Sequence, residues 1–432
     1  MPAPVACPNS KPLPTESVAP DTAPIAAAPS KSSHFCRVKA LLSAAEAITS
    51  DLIRWRRHLH QHPEPSFEEW ETQAYLLSEL QSIPDLRLRT AVGTGIIADL
   101  ITDERGPWIA LRADIDALPI QEKAERPYRS LKPGYMHACG HDAHTAMLLG
   151  AVHVLARHRS QWRGAIRFIF QPGEEKSPGG ASLLIAAGAL DEVPIQAIWG
   201  LHVTPQLPVG TVGLRAGAFM AASDEIHIRL SGKGGHAAYP HLTSDPIAVG
   251  AYILTYLQMV VSRASDPRSP TVLSFGSFHA GTAPNIIPTH AEITGTLRTF
   301  DEAWRKRSHD LITRIVQENA ALWGLNAQIQ FMPGYPVLYN DPTLTRHTQD
   351  WLSTLLGAEH IKELPLWLSS EDFAFYSQKV PACFIRLGTA GEAPDTHRPV
   401  HTPDFDIDEG ALPIGTAVLS HVAMRALEHF GS

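Results

Sequence analysis

Residues 108–116 read WIALRADID, a short apolar run that ends in two aspartates one residue apart. Three further runs are equally short and apolar, with Gly, Pro or Asp close to their ends. They are residues 165–170 (AIRFIF), 197–201 (AIWGL) and 382–387 (ACFIRL). Runs of this kind predict strands that are buried on both faces of a mostly parallel sheet. Helical stretches separate them, so we predict an α/β fold with a mixed, mostly parallel sheet flanked by helices.

Polar side chains directly follow three of these runs. Asp114 and Asp116 come after the first run, Glu174 and Glu175 come shortly after the second, and His202 follows the third. In open α/β sheets, ligands collect at the carboxyl ends of the strands. We therefore expect these carboxylates and this imidazole to lie together at one edge of the sheet.

The pattern of the chain changes between residues 217 and 330. Residues 225–230 alternate apolar and polar side chains, which predicts a half-exposed antiparallel strand. The segments that follow are residues 246–263 (helix), 271–278 and 291–299 (strands) and 302–323 (helix). The order β-α-β-β-α indicates a small two-layer α+β domain. We predict that it is inserted into a larger domain, and the parts of that domain are residues 38–216 and 331–432.

Composition excludes several classes of protein. Of the 432 residues, 44% are hydrophobic and 19% are charged, which is an ordinary globular balance. A net charge of −8, without a basic stripe, argues against nucleic acid as a partner. No apolar run reaches the roughly 18 residues of a membrane span, so no membrane partner is expected.

Four cysteines are too few for a disulfide framework and favour a cytoplasmic location. Residues 1–37, rich in Pro and Ala, predict a disordered tail, and the alternative is a targeting extension.

The densest cluster of candidate metal ligands is residues 136–144, MHACGHDAH. Cys139 and His141 lie two residues apart, and in a turn both can face one ion. Thiolate and imidazole suit Zn²⁺ and similar transition metals. The alternative is the start of a helix whose histidines cap or solvate it. Further candidates elsewhere in the chain favour the metal site, and they are Asp116, Glu174, Glu175, His202, His397 and His401.

The adjacent carboxylates of Glu174 and Glu175 point in different directions in an extended backbone. One can therefore bind a metal ion while the other faces the water that the ion polarises. Metal-assisted hydrolysis needs that division of roles. A Glu-Glu pair is by itself more often a solvated pair, but Pro172-Gly173 after a buried strand argues against an exposed helix face.

Ordered motifs run through nearly the whole chain, from residue 52 to residue 427. They are residues 56–64 (RRHLHQHPE), 111–119 (LRADIDALP), the Cys139/His141 cluster, 171–175 (QPGEE), 200–203 (GLHV), 232–238 (GKGGHAA), 282–288 (TAPNIIP), 370–373 (SEDF) and the loop around His401. With them the chain resembles the aminoacylase and hippurate-hydrolase branch of the di-metal aminopeptidase–carboxypeptidase superfamily, which includes indole-acetyl-amino-acid hydrolases. The resemblance implies a hydrolase-like (phosphorylase/hydrolase-like) catalytic domain that binds metal, with residues 217–330 as a lid or dimerisation domain.

The resemblance also implies a set of metal ligands. Two divalent ions (Mn²⁺, Zn²⁺ or Co²⁺) are expected on Cys139, His141, Glu175, His202 and His401. Glu174 is expected to be the general base, which deprotonates the metal-bound water and later protonates the leaving amine. Asp116 is expected to orient a ligand. More distant carboxypeptidases bridge their two ions with an aspartate, and Cys139 stands near that position here.

Three residues of the inserted domain complete the site that the resemblance implies. His236 is expected to stabilise the tetrahedral oxyanion, and in dimeric relatives the partner subunit contributes this histidine. Asn285 and Arg298 are expected to hold the carboxylate of the substrate. The implied activity is hydrolysis of N-acyl-L-amino acids, such as hippurate, N-acetyl amino acids or auxin conjugates, by a homodimer or higher homo-oligomer.

Two alternatives to metal-dependent hydrolysis stay open. In the first, Cys139 is the nucleophile of a thiol hydrolase and His141 or His144 is its base. In the second, the chain is a metal- or peptide-binding module without turnover, although the intact Glu174 argues against this. A serine hydrolase is disfavoured because the chain lacks a G-x-S-x-G motif.

The spacing of His60, His62 and Glu64 could also chelate an ion. These residues match the family outside its metal-binding set. We therefore predict that they are structural and hold the first helix against the sheet.

Overall fold

A computed structural model describes residues 40–432 of the protein. The tail predicted for residues 1–37 lies outside the described residues. The helices of the described residues include α1 (Thr49–Gln61), α2 (Trp70–Leu80), α3 (His141–Arg157), α4 (Gly180–Ala186), α5 (Pro246–Met259), α6 (Glu302–Leu322), α7 (Pro342–Leu356), α8 (Ala374–Ser377) and α9 (Ala411–Gly431). The strands are β1 (Leu86–Ala91), β2 (Gly95–Ile101), β3 (Trp108–Asp114), β4 (Ala165–Gln171), β5 (Ile195–Pro208), β6 (Val212–Leu214), β7 (Gly217–Met220), β8 (Ala222–Ser231), β9 (Gly235–His236), β10 (Thr271–Ala280), β11 (Ile286–Ile287), β12 (His290–Thr299), β13 (Asn326–Pro333), β14 (Leu338–Asn340), β15 (Ile361–Glu363) and β16 (Ala382–Ala390).

Eight strands form the main sheet in the order β1-β2-β4-β3-β5-β16-β6-β15. The central strands β4, β3, β5 and β16 are parallel to one another. These are the four strands predicted from the apolar runs. Helices α1, α3, α7 and α9 cover one face of the sheet, and α4 and α8 pack on the other. The predicted α/β fold with a mixed, mostly parallel sheet is confirmed.

The prediction that His202 follows the third strand is wrong, because His202 lies within β5. The strand continues to Pro208 because its residues remain paired with β16 beyond Leu201. In that ladder His202 lies opposite Arg386. The backbone hydrogen bonds of the ladder do not depend on side-chain polarity, so a polar residue need not end a strand.

A separate antiparallel sheet of four strands has the order β10-β12-β8-β13. Helices α5 and α6 contribute to a hydrophobic cluster on this sheet that includes Ile228, Ile293 and Ile312. The strand β13 was not among the predicted segments. It pairs with β8 and ends at Pro333, beyond the predicted domain limit at residue 330.

Helix α5 continues into one turn of π-helix that ends at Ala264. The combined helix, Pro246–Ala264, is by length and composition apolar enough to cross a membrane. One side of α5 packs on the second sheet through buried residues such as Ile253 and Leu257. On the other side Tyr252 and Tyr256 are exposed.

A network of buried charges joins the first helix to the start of α3. Arg56 is fully buried and contacts three carboxylates, with distances of 2.9 Å to Asp142, 2.6 Å to Asp406 and 3.2 Å to Glu409. His60 lies 2.8 Å from the same Asp142. These contacts fix the helix that begins with His141, so His60 has the structural position that was predicted. Its partners are Asp142 of helix α3 and Glu122, so it does not hold the helix against the sheet as predicted.

Replacing Arg56 by Met should destabilise the protein by about 3–5 kcal/mol, because it leaves buried carboxylates without their counter-ion. Chemical denaturation would measure this change. Arg54 is the matched control, since its side chain is 51% exposed and pairs with Asp51 and Glu79. Its replacement by Met should change the free energy of unfolding by about 1 kcal/mol or less. Equal effects of the two substitutions would contradict a stabilising role for the buried network.

Candidate metal centre

A left-handed turn before helix α3 positions the first two candidate ligands. Gly140 has a φ of 84°, and a Cβ at this position would lie 2.5 Å from Cγ2 of Val203. Only glycine therefore allows the turn to approach strand β5 so closely. Cys139 and His141, on either side of this glycine, lie next to the strand that carries His202.

The thiol of Cys139 lies between two imidazoles. Its Sγ atom is 3.4 Å from Nε2 of His202 and 3.2 Å from Nε2 of His401. The other ring nitrogen of His202, Nδ1, lies 2.7 Å from the carbonyl oxygen of Val203. Because a carbonyl only accepts, Nδ1 carries the proton and Nε2 presents its lone pair toward the thiol.

An unpaired ring nitrogen of His141 faces an unpaired carboxylate oxygen of Glu175. Nδ1 of His141 donates to the carbonyl oxygen of Asp116 at 2.9 Å, so the neutral ring that binds a cation would present the lone pair of Nε2. Among residues 40–432, this Nε2 and Oε1 of Glu175 are buried without a hydrogen-bond partner. The two atoms are 3.9 Å apart, and Nε2 of His401 lies 3.4 Å from the same Oε1. A cation between them would satisfy these buried acceptors.

All five predicted ligands thus lie in overlapping groups whose candidate donor atoms are within 4.8 Å of one another. One of these groups contains Cys139, His141 and His202, and another contains Cys139, Glu175 and His401. The two groups share Cys139. A mixed set of sulfur, nitrogen and oxygen donors fits divalent transition metals.

Asp116 connects two of these candidate ligands. Its Oδ1 is 3.3 Å from Nδ1 of His141, and its Oδ2 accepts from the backbone N–H of Glu175 at 3.0 Å and from the Ser66 hydroxyl at 2.7 Å. Burial acts to raise the pKa of Asp116, but the hydrogen bonds from His141 and Ser66 hold it below its usual value. The carboxylate therefore stays charged and orients both neighbours.

Asp114 and His144 extend the same network. The sequence predicted that Asp114 lies at this edge of the sheet, but not that it pairs with His144. Nδ1 of His144 donates to Asp114 at 2.6 Å, and Nε2 accepts from the backbone N–H of Val203 at 2.9 Å. Both ring nitrogens are therefore occupied. His144 cannot serve as the base of a Cys139 nucleophile in this arrangement.

Glu174 lies directly beside the candidate ligands. A carboxylate oxygen of Glu174 is within 4.8 Å of candidate donor atoms of His141 and Glu175. The hydroxyl of Tyr335 donates to its backbone carbonyl, and Oε1 accepts from the backbone N–H of Asp372 at 3.3 Å. Burial, followed by the charges of neighbouring carboxylates, raises the pKa of Glu174 well above its usual value. Such a group readily takes up a proton, as a general base must.

The loop before α9 brings in His401 but not His397. His401 has a φ of 64°, and its backbone N–H donates to the carbonyl of Ala138 at 2.7 Å. A left-handed conformation is uncommon for residues other than glycine, and such positions cluster at functional sites. His397 is exposed and lies 2.9 Å from the carbonyl of Gly391, outside the ligand groups found among residues 40–432.

A cavity of about 720 Å³ opens onto the candidate ligands. Residues of both sheets line it, together with the loop before α8. The lining includes Glu174, Glu175, Val272, Arg298, Tyr335, Trp367, Ser370, Glu371, Arg386 and His401. Of the three residues predicted in the inserted domain, Arg298 lies in this cavity and contacts the Ser370 hydroxyl at 3.1 Å.

His236 and Asn285 lie away from this cavity within the single chain. Strands β9 and β11 pair with each other, and the carbonyl of Asn285 accepts from the N–H of Ala237 at 3.0 Å. His236 and Asn285 are both exposed, and neither residue lines the cavity. The structure therefore brings these two residues together, but not with the candidate ligands.

The sequence did not predict a group of buried ion pairs close to Glu174. Arg112 lies 2.7 Å from Asp114, 2.6 Å from Asp372 and 3.1 Å from Glu371. These contacts hold the loop before α8 against strand β3. The motifs that contain these residues were recognised, but nothing in the sequence indicated that they meet.

Comparison with known proteins identifies the family of the chain. Residues 110–425 match the family described as peptidase family M20/M25/M40. The chain belongs to this family. Among its M20 relatives, the N-acetylcysteine deacetylase of Bacillus subtilis is 39% identical over 394 residues, which cover 89% of this chain and 99% of the relative. The N-acyl-L-amino acid amidohydrolase of Geobacillus stearothermophilus is 46% identical over 303 residues, which cover 70% and 81% respectively.

A solved structure from Bacillus subtilis, described as a dinuclear metal-binding peptidase of the M20 family, superposes with a TM-score of 0.76. It is 36% identical in sequence, and the match covers 89% of this chain and 99% of that one. The predicted resemblance to the aminoacylase branch is confirmed. The protein is therefore a metal-dependent hydrolase of amide bonds. The fold of this family binds two divalent ions.

Membership of this family argues against both alternatives that the sequence left open. Because the protein is a hydrolase, it is not a binding module without turnover. The surroundings of Cys139 also disfavour a free thiol nucleophile, because burial, followed by the charge of Glu175, raises the pKa of this thiol to about 12.

Proposed function

We propose that the protein hydrolyses the amide bond of N-acyl-L-amino acids, with Glu174 as the general base. The arrangement that carries the proposal is the carboxylate of Glu174 beside two overlapping ligand groups at the base of the cavity. The names of the two relatives, a deacetylase of N-acetylcysteine and an N-acyl-L-amino acid amidohydrolase, support this substrate class.

Cys139, His141, Glu175, His202 and His401 are the residues that we propose hold the ions. The unpaired buried atoms of His141 and Glu175 support this assignment. When bound, such ions lower the pKa of a water molecule and polarise the amide carbonyl. We propose Mn²⁺, Zn²⁺ or Co²⁺, because the donor set is mixed. Asp116 holds His141 and the backbone of Glu175 in place for this role.

The carboxylate of Glu174 accepts a proton from the attacking water at one of its oxygens. It then gives the same proton to the leaving amine nitrogen, because an amine leaves far more readily when protonated. The backbone contacts from Asp372 and Tyr335 hold Glu174 in position for both transfers. Burial of the side chain keeps bulk water from competing for the proton.

Arg298 is the group that we propose binds the α-carboxylate of the substrate. It lines the cavity, and no carboxylate of the described residues forms an ion pair with it. Its planar guanidinium can donate two parallel hydrogen bonds to a carboxylate. We propose that Asn285 assists in the assembled enzyme.

We propose a homodimer in which the inserted domain, residues 217–330, supplies His236 and Asn285 to the cavity of the partner subunit. Both residues are exposed and lie apart from the cavity of their own chain. We propose that the two subunits meet at an apolar surface on this domain. This surface comprises the exposed side of α5, with Tyr252 and Tyr256, and the edge strand β10. In this assembly His236 donates a hydrogen bond to the developing oxyanion.

Mixing two inactive variants tests this arrangement. His236→Ala and Glu174→Gln subunits should each form inactive homodimers. After random subunit exchange, half of the dimers are mixed, and each mixed dimer holds one site with both wild-type residues. Activity should therefore return to about a quarter of the wild-type value. The exchange of subunits is checked with differently tagged chains, and exchanged dimers without activity would show that His236 acts within its own subunit.

The substrate class is tested with a panel of N-acyl-L-amino acids and metal-reconstituted enzyme. We expect hydrolysis of N-acetyl and N-benzoyl amino acids, and little hydrolysis of the corresponding amino acid amides, because these lack the carboxylate for Arg298. Preference for the amides would contradict the proposal. We also propose a cytoplasmic location, since Cys139 and Cys383 are free thiols.

A further inference from the structure

Arg386 differs from the other buried arginines of the described chain. It lies on β16 and is 3% exposed. Within residues 40–432 its Nε atom is buried without a hydrogen-bond partner, and no carboxylate lies within ion-pair distance of its guanidinium. Each of the other four buried arginines contacts at least one carboxylate, and these are Arg56, Arg112, Arg167 and Arg305. A buried guanidinium without a counter-ion is the exception in this fold.

The position of Arg386 places it in the substrate cavity. It lies opposite His202 in the parallel ladder between β16 and β5, and it lines the cavity together with Cys139. Its guanidinium carbon lies 4.4 Å from the centre of the Trp367 ring. Because Nε is enclosed, the terminal nitrogens are the part of the side chain that faces the cavity.

This environment favours the arrival of an anion. The charged guanidinium of Arg386 has lost most of its hydration, because the side chain is buried. Stacking on Trp367 recovers part of this loss and fixes the plane of the guanidinium. Divalent ions on the neighbouring Cys139 and His202 would add further positive charge. A carboxylate that pairs with the open edge of the guanidinium would restore what burial removed.

We propose that Arg386 and Trp367 form an anion subsite that binds a second carboxylate of the substrate. The subsite is distinct from Arg298, which takes the α-carboxylate in the proposed function on which this inference rests. The second carboxylate can belong to the acyl group, as in an N-succinyl amino acid, or to the side chain of the amino acid. The preferred substrates of the enzyme are then dicarboxylic N-acyl amino acids.

Three substrates distinguish these sources: N-acetyl-L-methionine, N-succinyl-L-methionine and N-acetyl-L-glutamate. We expect the wild-type enzyme to prefer one of the two dicarboxylates. In Arg386→Met, kcat/KM for that substrate should fall by roughly ten- to hundredfold relative to N-acetyl-L-methionine, mainly through KM. Arg386→Lys keeps the charge without the planar fork and should retain part of the preference. Arg298→Met is the matched control, and it should lower kcat/KM for all three substrates.

Binding of succinate to the metal-loaded enzyme, measured by calorimetry, gives a readout that does not depend on turnover. Its affinity should fall at least about tenfold in Arg386→Met. Equal affinity in the wild type and the variant would overturn the subsite, as would an unchanged ratio among the three substrates. A uniform loss of activity together with loss of metal would also overturn it, because Arg386 would then only support His202. Failure of the wild type to hydrolyse any of the three substrates would instead contradict the proposed function, while the succinate measurement still tests the subsite.

Discussion

Replacement of Glu174 by Gln should lower kcat by roughly 10²- to 10⁴-fold while the metal content stays at the wild-type level. Glutamine keeps the size of the side chain and its hydrogen bond from the Asp372 backbone, but it cannot accept a proton from water. Steady-state kinetics and metal analysis of the same sample measure the two quantities. The structure supports this separation because Glu174 lies beside the ligand groups and also contacts the loop before α8.

Glu175→Gln is the matched control for this experiment. The two glutamates are adjacent and the substitution is the same, but Oε1 of Glu175 faces His141 and His401. We expect this variant to lose metal as well as activity. If Glu174→Gln lost metal to the same extent, Glu174 would be a ligand and the proposed division of roles would be wrong. If Glu174→Gln kept normal turnover, the base would have to be another residue.

Removal of metal by dialysis against a chelator should lower activity by at least about 10³-fold, and Mn²⁺ or Zn²⁺ should restore it. Without cations, the unpaired acceptors of His141 and Glu175 remain, but nothing lowers the pKa of a water molecule between them. The control is thermal unfolding of the chelated protein, which separates loss of metal from loss of fold. Full activity in the metal-free enzyme would contradict metal-dependent hydrolysis.

A second experiment compares the alkylation of thiols in the metal-loaded and the chelated enzyme. With metal bound, Cys139 is expected to be protected, and the enzyme should keep most of its activity. After chelation the same thiol is released from its ligand role, but its burial and a pKa raised to about 12 should keep alkylation slow near neutral pH. Rapid inactivation of the metal-loaded enzyme would instead favour a thiol nucleophile.

The central strands could be predicted because each is a continuous apolar run, and burial on both faces of a parallel sheet imposes that pattern. The prediction failed where the local pattern and the pairing disagree. His202 is polar and yet lies inside β5, because ladder hydrogen bonds to β16 continue past it. The strand β13 was missed for a related reason. Its residues are partly exposed, and its pairing partner β8 lies far away in the sequence.

The candidate ligands could be named because cysteine, histidine and glutamate stand in motifs that resemble a family. Their individual roles depend on contacts between distant parts of the chain. Asp116 orients both His141 and Glu175, and no spacing in the sequence indicates this. For His236 the opposite holds, since its motif suggests the site but the single chain leaves it outside the cavity.

Sequence by itself therefore determined the α/β fold, the family and the chemical types of the ligands, because apolar periodicity and ordered motifs are local properties. Only the tertiary structure decided which charges are paired and which are not. Arg112 and Arg386 both lie in apolar runs that form parallel strands, and the sequence does not distinguish their surroundings. In the folded protein Arg112 contacts three carboxylates, whereas Arg386 faces the cavity without a counter-ion. That difference arises from side chains brought together across the sheet, and it is the basis of the proposed anion subsite.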